Sequence, residues 1–243
     1  MIKVEVCINC DTLINVRNSI SAAYHGGAST IELCSAMHFD GLTPVKEHIV
    51  AARKAFHDRA GLMVMIRPRK GDFSYTGQEL LTMHREIHTA AEAGADGVVF
   101  GVLQKNDDSI AVEPLRQLIQ TAGSYGLKVT FHRAFDATPN PLETLAVLID
   151  LGVHRVLTSG MPWGQKGTAL DGIGRLDQII KQSKGRIEIV VSGGISPTNV
   201  VNILNRLPLD AGNVSVHAYS GVQENGITTT EAVKSLVDAV SFL

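Results

Sequence analysis

Ala90-Ala91-Glu92-Ala93-Gly94-Ala95-Asp96-Gly97-Val98-Val99-Phe100 contains one complete passage from helix to strand. Upstream of it, Thr76 is suited to cap a helix over Gly77–Ala93, which stops at Gly94. A glycine just past a helix end supplies the left-handed residue that turns the chain. Downstream, Gly97–Val102 is short and Val-rich, as a strand buried on both faces should be. Similar entrances stand at Gly27-Ala28, Gly126 and Gly152. Read outward from this unit, the chain offers strands at Lys3–Ile8, Thr30–Cys34, Leu62–Arg67, Gly97–Val102, Lys128–Arg133, Arg155–Ser159, Glu188–Gly193 and Val214–Ser220. They recur about every 30 residues, the length of one βα unit. Asp11-Thr12 caps a helix running to Gly26-Gly27, Pro139 and Pro141 suit a first helical turn, and Ser196-Pro197 reads as a cap followed by the first helical position. Eight such units, with no obvious edge strand and no break in composition, predict an α/β fold, a (β/α)8 TIM barrel occupying residues 1–243 as one domain. The competing open, doubly wound sheet has less support.

Composition narrows the function. The chain of 243 residues has 22 Lys+Arg against 24 Asp+Glu, a formal charge of −2, and is 44% hydrophobic. That is enough apolar side chain for a large core and no excess of positive charge for nucleic acid. No run of about 18 apolar residues predicts a membrane span, and Met1–Cys10 lacks a signal-peptide pattern. Three cysteines, Cys7, Cys10 and Cys34, are too few for a disulfide scaffold, so the expected compartment is the cytoplasm. There is no GxGxxG, P-loop, HExxH or paired CxxC pattern, so no nucleotide cofactor is expected. Cys7-x-x-Cys10 has redox spacing in the wrong context, and His84/His88 read as a surface pair on an outer helix.

In a TIM barrel the site lies at the C-terminal ends of the strands. Glu5-Val6-Cys7 and Glu32-Leu33-Cys34 repeat one acid-x-Cys pattern on neighbouring strands, about 4.8 Å apart. Cys7 and Cys34 then face one point, with Glu5 and Glu32 a layer below. Buried thiols also pack as small hydrophobes, and that reading stays open. Buried acids need cations, and Arg67 is the expected bridge between them. It can equally hold an anion. His132, Arg133 and Asp136 crowd the end of the fifth strand, with His132 on the face of Thr130 and Arg133 on the opposite one. They suit acid–base chemistry, and a salt-bridge network closing the barrel top is the plainer alternative. Ser159, Ser192-Gly193-Gly194 and His217 end the last three strands, where barrels often bind phosphate, although Gly193-Gly194 also suits an ordinary tight turn. Met161–Gly174 is a glycine-rich loop with the features of a lid, and Trp163 within it is an anchor or a plug.

Val4-Glu5-Val6-Cys7, Ile31-Glu32-Leu33-Cys34-Ser35, Gly41-Leu42-Thr43-Pro44, Ile66-Arg67-Pro68-Arg69, Gly71-Asp72-Phe73, Thr130–Asp136 and Val156–Gly160 together resemble the CutC copper homeostasis family, in order along nearly the whole chain. The resemblance implies a cytoplasmic barrel associated with copper, usually a homo-oligomer, with Cys7 and Cys34 as Cu(I) ligands. Soft thiolates select that ion. Lys70 and His217-Ala218-Tyr219-Ser220 depart from the family pattern. The residues alone also admit an enzyme or binder of a small anionic, even phosphorylated, molecule. In that case Glu32, His132 and Asp136 are catalytic, and Glu5, Arg67, Arg133, Ser159, Ser192, Gly193, Gly194 and His217 bind substrate. In a third reading the polar cluster only fills the barrel.

Overall fold

Alternation along each strand separates two interiors. Val4, Val6 and Ile8, like Val64, Val98, Phe131, Ile189 and Val216, join one apolar cluster with the helices, whereas Cys7, Cys34, Met63, Met65 and Val99 form a second, small cluster inside the barrel. In the computed structural model, which describes residues 2–243, the eight strands close in sequence order into a parallel barrel. They are β1 Lys3–Asn9, β2 Thr30–Cys34, β3 Leu62–Met65, β4 Gly97–Phe100, β5 Lys128–Phe131, β6 Arg155–Thr158, β7 Glu188–Val191 and β8 Asn213–Ala218. β1 pairs with both β2 and β8, so no edge remains open. The outer ring holds α1 Leu13–His25, α2 Lys46–Phe56, α3 Gly77–Glu92, α4 Val112–Ser124, α5 Pro141–Asp150, α6 Ile173–Ser183, α7 Val200–Leu204 and α8 Thr230–Val240.

Local chemistry explains the boundaries. The Thr12 hydroxyl accepts from Asn15 N–H at the start of α1, and Thr76 and Glu79 form a reciprocal capping box at α3. Gly27, Gly94, Gly126 and Gly152 all carry positive φ at the passages into strands. Large apolar side chains such as Phe56, Phe100 and Phe131 are fully enclosed between barrel and helices, each worth about 1.5–3 kcal/mol of burial. Several strands end one or two residues before their sequence-based limits, where the chain turns towards the mouth. Ser196-Pro197 does not open a helix; α7 begins at Val200 after Asn199, whose side chain accepts from Ser196 N–H and donates to the Gly194 carbonyl. His84 and His88 bond Thr121 and Tyr125 across the α3–α4 contact. Among the described residues, no helix is long and apolar enough to cross a membrane.

Candidate functional site

The barrel floor is an ion-pair layer. Arg155, at the entrance of β6, donates to Glu5 Oε2 at 2.7 Å and faces Glu188 Oε1 at 3.4 Å. The Thr30 hydroxyl donates to the same Glu5 oxygen at 2.9 Å, and His217 Nδ1 meets the other at 3.0 Å. Burial would raise the Glu5 carboxyl, but Arg155 and His217 overcome it and hold it well below the usual carboxylate range. The expected bridge therefore has the wrong residue. Arg155 neutralises Glu5, and Arg67 makes no ion pair with either acid.

Above this floor stand His217, Glu32 and Cys7. The β1–β2 register places Cys7 level with Glu32, and Cys34 level with Asn9. Glu32 thus shares a layer with Cys7 instead of lying below both thiols. Ligand atoms of Cys7, Glu32 and Cys34 lie within 4.8 Å of one another, and Met37 Sδ is 4.0 Å from Cys7 Sγ. A hydrogen bond from Cys34, aided by His217, lowers the Cys7 thiol to about 6 despite its burial. That same bond to Cys7, together with burial, raises Cys34 well above the ordinary thiol value. Burial and the neighbouring Cys7 push Glu32 up to about 8. For His217, burial opposes the charge, but its bonds to Cys7 and Glu5 keep it protonated. These shifts favour charge on Cys7 and His217 and a retained proton on Glu32 and Cys34.

These groups form the base of a pocket of about 160 Å³ opening at the C-terminal mouth, with Arg67, Phe73, His132, Leu157 and Trp163 higher in its wall. His132 Nδ1 accepts from Ala134 N–H at 3.2 Å, which places its proton on Nε2, a buried atom without a partner. Burial, with nearby Arg67, lowers this imidazole to about 3, which favours the neutral ring as a donor. Gly101 makes room for the ring, since a Cβ there would sit 2.7 Å from it. Arg67 is 2% exposed, and its terminal nitrogens donate to the carbonyls of Phe39, Gly41 and Gly71. Its Nε has no partner, and neither has the hydroxyl of nearby Tyr75, which lies outside the pocket wall.

Other expected site residues lie apart. β5 ends at Phe131 and a 3-10 turn over Arg133–Ala137 follows, so strict alternation fails and Arg133 joins His132 at the mouth. Asp136 does not orient His132. It holds Arg133 at 2.8 Å and bonds Thr158 and Ser159, which closes the barrel top. Gly193 and Gly194 do carry positive φ, but Thr168 and Ala169 of the chain's own loop lie against them, and Ala169 N–H donates to the Gly193 carbonyl. The close approach that these glycines permit is made by that loop. Ser192 is buried with an unpartnered hydroxyl and is not in the pocket wall. The same loop brings Trp163 over the mouth, 5.2 Å from the Phe73 ring, with Arg133 against its face, so Trp163 is a plug. Arg155, Met37 and Phe73 were not singled out from sequence. For Arg155 the signal was present, as a cation opening a strand at a position that alternates inward.

With this geometry in hand, comparison with known proteins is decisive for the family. The CutC family model matches residues 2–238. The chain belongs to the CutC family. A CutC family protein of Vibrio cholerae is 44% identical over 214 residues, 86% of this chain and 79% of the relative. One from Bacteroides fragilis is 38% identical over 231 residues, 95% and 81% of the two chains. The solved CutC structure from Streptococcus agalactiae superposes with a TM-score of 0.78 at 29% identity, covering 89% of this chain and 98% of that one.

Proposed function

We propose that this CutC family member takes part in copper homeostasis by binding Cu(I) between Cys7 and Cys34, in the cytoplasm, where free thiols persist. The observation that carries the reading is the convergence of two buried thiols within 4.8 Å, with the Met37 thioether 4.0 Å from one of them. Metal–thiolate bonds of about 2.3 Å, taking zinc as a guide, put two sulfurs in line about 4.6 Å apart, so the spacing fits. Sulfur donors without a free imidazole favour Cu(I) over harder ions. Glu32, a hard oxygen donor, suits a supporting role, as do Glu5, which holds His217, and Arg155, which holds Glu5. The Streptococcus agalactiae relative carries a copper homeostasis name, itself provisional. An anaerobic competition titration against a Cu(I) chelator tests the reading. Tight one-to-one binding is expected, abolished by Cys7→Ser or Cys34→Ser and unchanged by Cys10→Ser. Binding indifferent to Cys7 and Cys34 refutes it.

A further inference from the structure

The upper half of the pocket is built from different chemistry. Arg67 is almost fully buried, yet among the described residues no carboxylate lies within 4.0 Å of it. Its terminal nitrogens donate to backbone carbonyls, which do not neutralise its charge. Asp40, on the same wall, is exposed and lies beyond ion-pairing distance. His132, also buried, offers Nε2–H with no acceptor. Arg67 lies 5.1 Å from the Phe73 ring centroid, and Phe73 4.9 Å from His132, so cation, aromatic ring and imidazole are adjacent. Leu157, Met65 and Trp163 complete an apolar wall.

From this arrangement we infer that the mouth binds a small organic carboxylate, its oxygens held by Arg67 and His132 and its apolar body against Phe73 and Trp163. One cation without a contact anion, beside one neutral donor, suits a singly charged group better than a phosphate dianion, which usually meets several cations or a helix N-terminus. The orphaned His132 Nε2–H is a donor that an oxyanion would satisfy. The whole pocket, sulfur base included, is about 160 Å³, the size of a cavity that holds one benzene ring, so the ligand has at most a body of roughly that bulk. A wider hollow of about 480 Å³ shares Asp40, Arg67, Phe73 and Trp163 with this pocket and gives a route in. The inference is independent of copper, because neither Arg67 nor His132 is among the converging metal-ligand atoms.

The chain supplies its own reporter, since Trp163 is its only tryptophan and stands in the pocket wall. Full-length, metal-free protein is titrated with cyclohexanecarboxylate while Trp163 emission is followed, with cyclohexanecarboxamide and inorganic phosphate in parallel. A saturable change is expected with the carboxylate, at least about tenfold weaker with the uncharged amide, as loss of one charge-assisted contact implies. Arg67→Met and His132→Gln are each expected to abolish that preference. The ligand swap needs no variant, so a failure of Arg67→Met to fold leaves the test intact. Equal response to acid and amide, no saturable response, or tighter binding of phosphate overturns the inference.

Discussion

Replacing Arg155 with Met tests the charge arrangement on which the whole lumen rests. The substitution keeps the stem and removes the guanidinium that meets Glu5 at 2.7 Å and Glu188 at 3.4 Å. Glu5 is left 2% exposed with only Thr30 and His217, and Glu188 loses its cation. Removing one partner of a buried pair costs about 3–5 kcal/mol, because the surviving charge is stranded away from water. For a chain of this length each kcal/mol moves Tm by about 2–4 °C, so Arg155→Met should fall about 6–20 °C below wild type. The second arm separates charge from packing. Arg155→Met/Glu5→Gln removes the stranded charge, and should recover more than half of the loss in urea unfolding at pH 7. The pH dependence has a defined sign. Glu5 is held below its unfolded value of 4.5, so its stabilisation is present above that pH and is lost as pH falls further. Arg155→Met weakens this term, so the gap to wild type narrows as the solution is acidified towards pH 4. If the single and double variants are equally unstable, and the gap is constant with pH, the floor is held by packing and the electrostatic argument fails.

Glu32→Gln should act in the opposite direction. Wild type holds a proton on Glu32 between the unfolded value of 4.5 and about 8 that the unfolded chain releases, so its stability declines as pH rises through that range. The amide removes this decline, giving a variant more stable than wild type by up to a few kcal/mol at pH 8; parallel urea profiles at pH 5 and pH 8 would contradict it. Trp163→Ala removes the edge contact to Phe73 and the cation face under Arg133, a loss of about 1–3 kcal/mol. It also uncovers the pocket, so iodoacetamide labelling of Cys7, mapped by mass spectrometry, should accelerate. An unchanged labelling rate would show that Trp163 does not close the mouth.

The barrel and half of its site were legible because strand alternation is a strong local signal. Glu5, Cys7, Glu32 and Cys34 face the lumen as period two requires, and the glycine entrances mark the passages into strands. What escaped depends on the third dimension. Arg155 opens its strand at the end remote from the mouth, so proximity along the chain favoured Arg67 as the counter-ion, although the cation of β6 crosses the lumen to reach Glu5 on β1. Arg133 changed face because β5 gives way to a 3-10 turn at His132, and nothing in Phe-His-Arg-Ala-Phe-Asp marks where pleating stops. Gly193-Gly194 shows a different limit. A glycine pair announces a close approach but not what approaches, and here Thr168 and Ala169 do. Met37 comes from a 3-10 turn between β2 and α2, whose reach across a barrel no periodicity encodes.

Arg67 is what distinguishes this mouth from a merely filled barrel. In the lower lumen Glu5 and Glu188 have Arg155 as a counter-charge at contact distance, and His217 favours the charged form of Cys7. Arg67 stands outside that account. If the position served packing alone, a neutral side chain of similar length would fill it without the cost of burying a guanidinium, and the carbonyls of Phe39, Gly41 and Gly71 would be the only groups to re-partner. A buried cation is best explained by a negative charge arriving from outside. Two such charges fit the pocket, a carboxylate at the mouth or the anionic unit that Cu(I) forms with two thiolates beneath. His132 discriminates between them. Its Nε2–H needs an acceptor, and a metal held between Cys7 and Cys34 supplies no oxygen, whereas a carboxylate supplies two. The sulfur base and the nitrogen-rich mouth thus offer donors of different chemistry to one pocket.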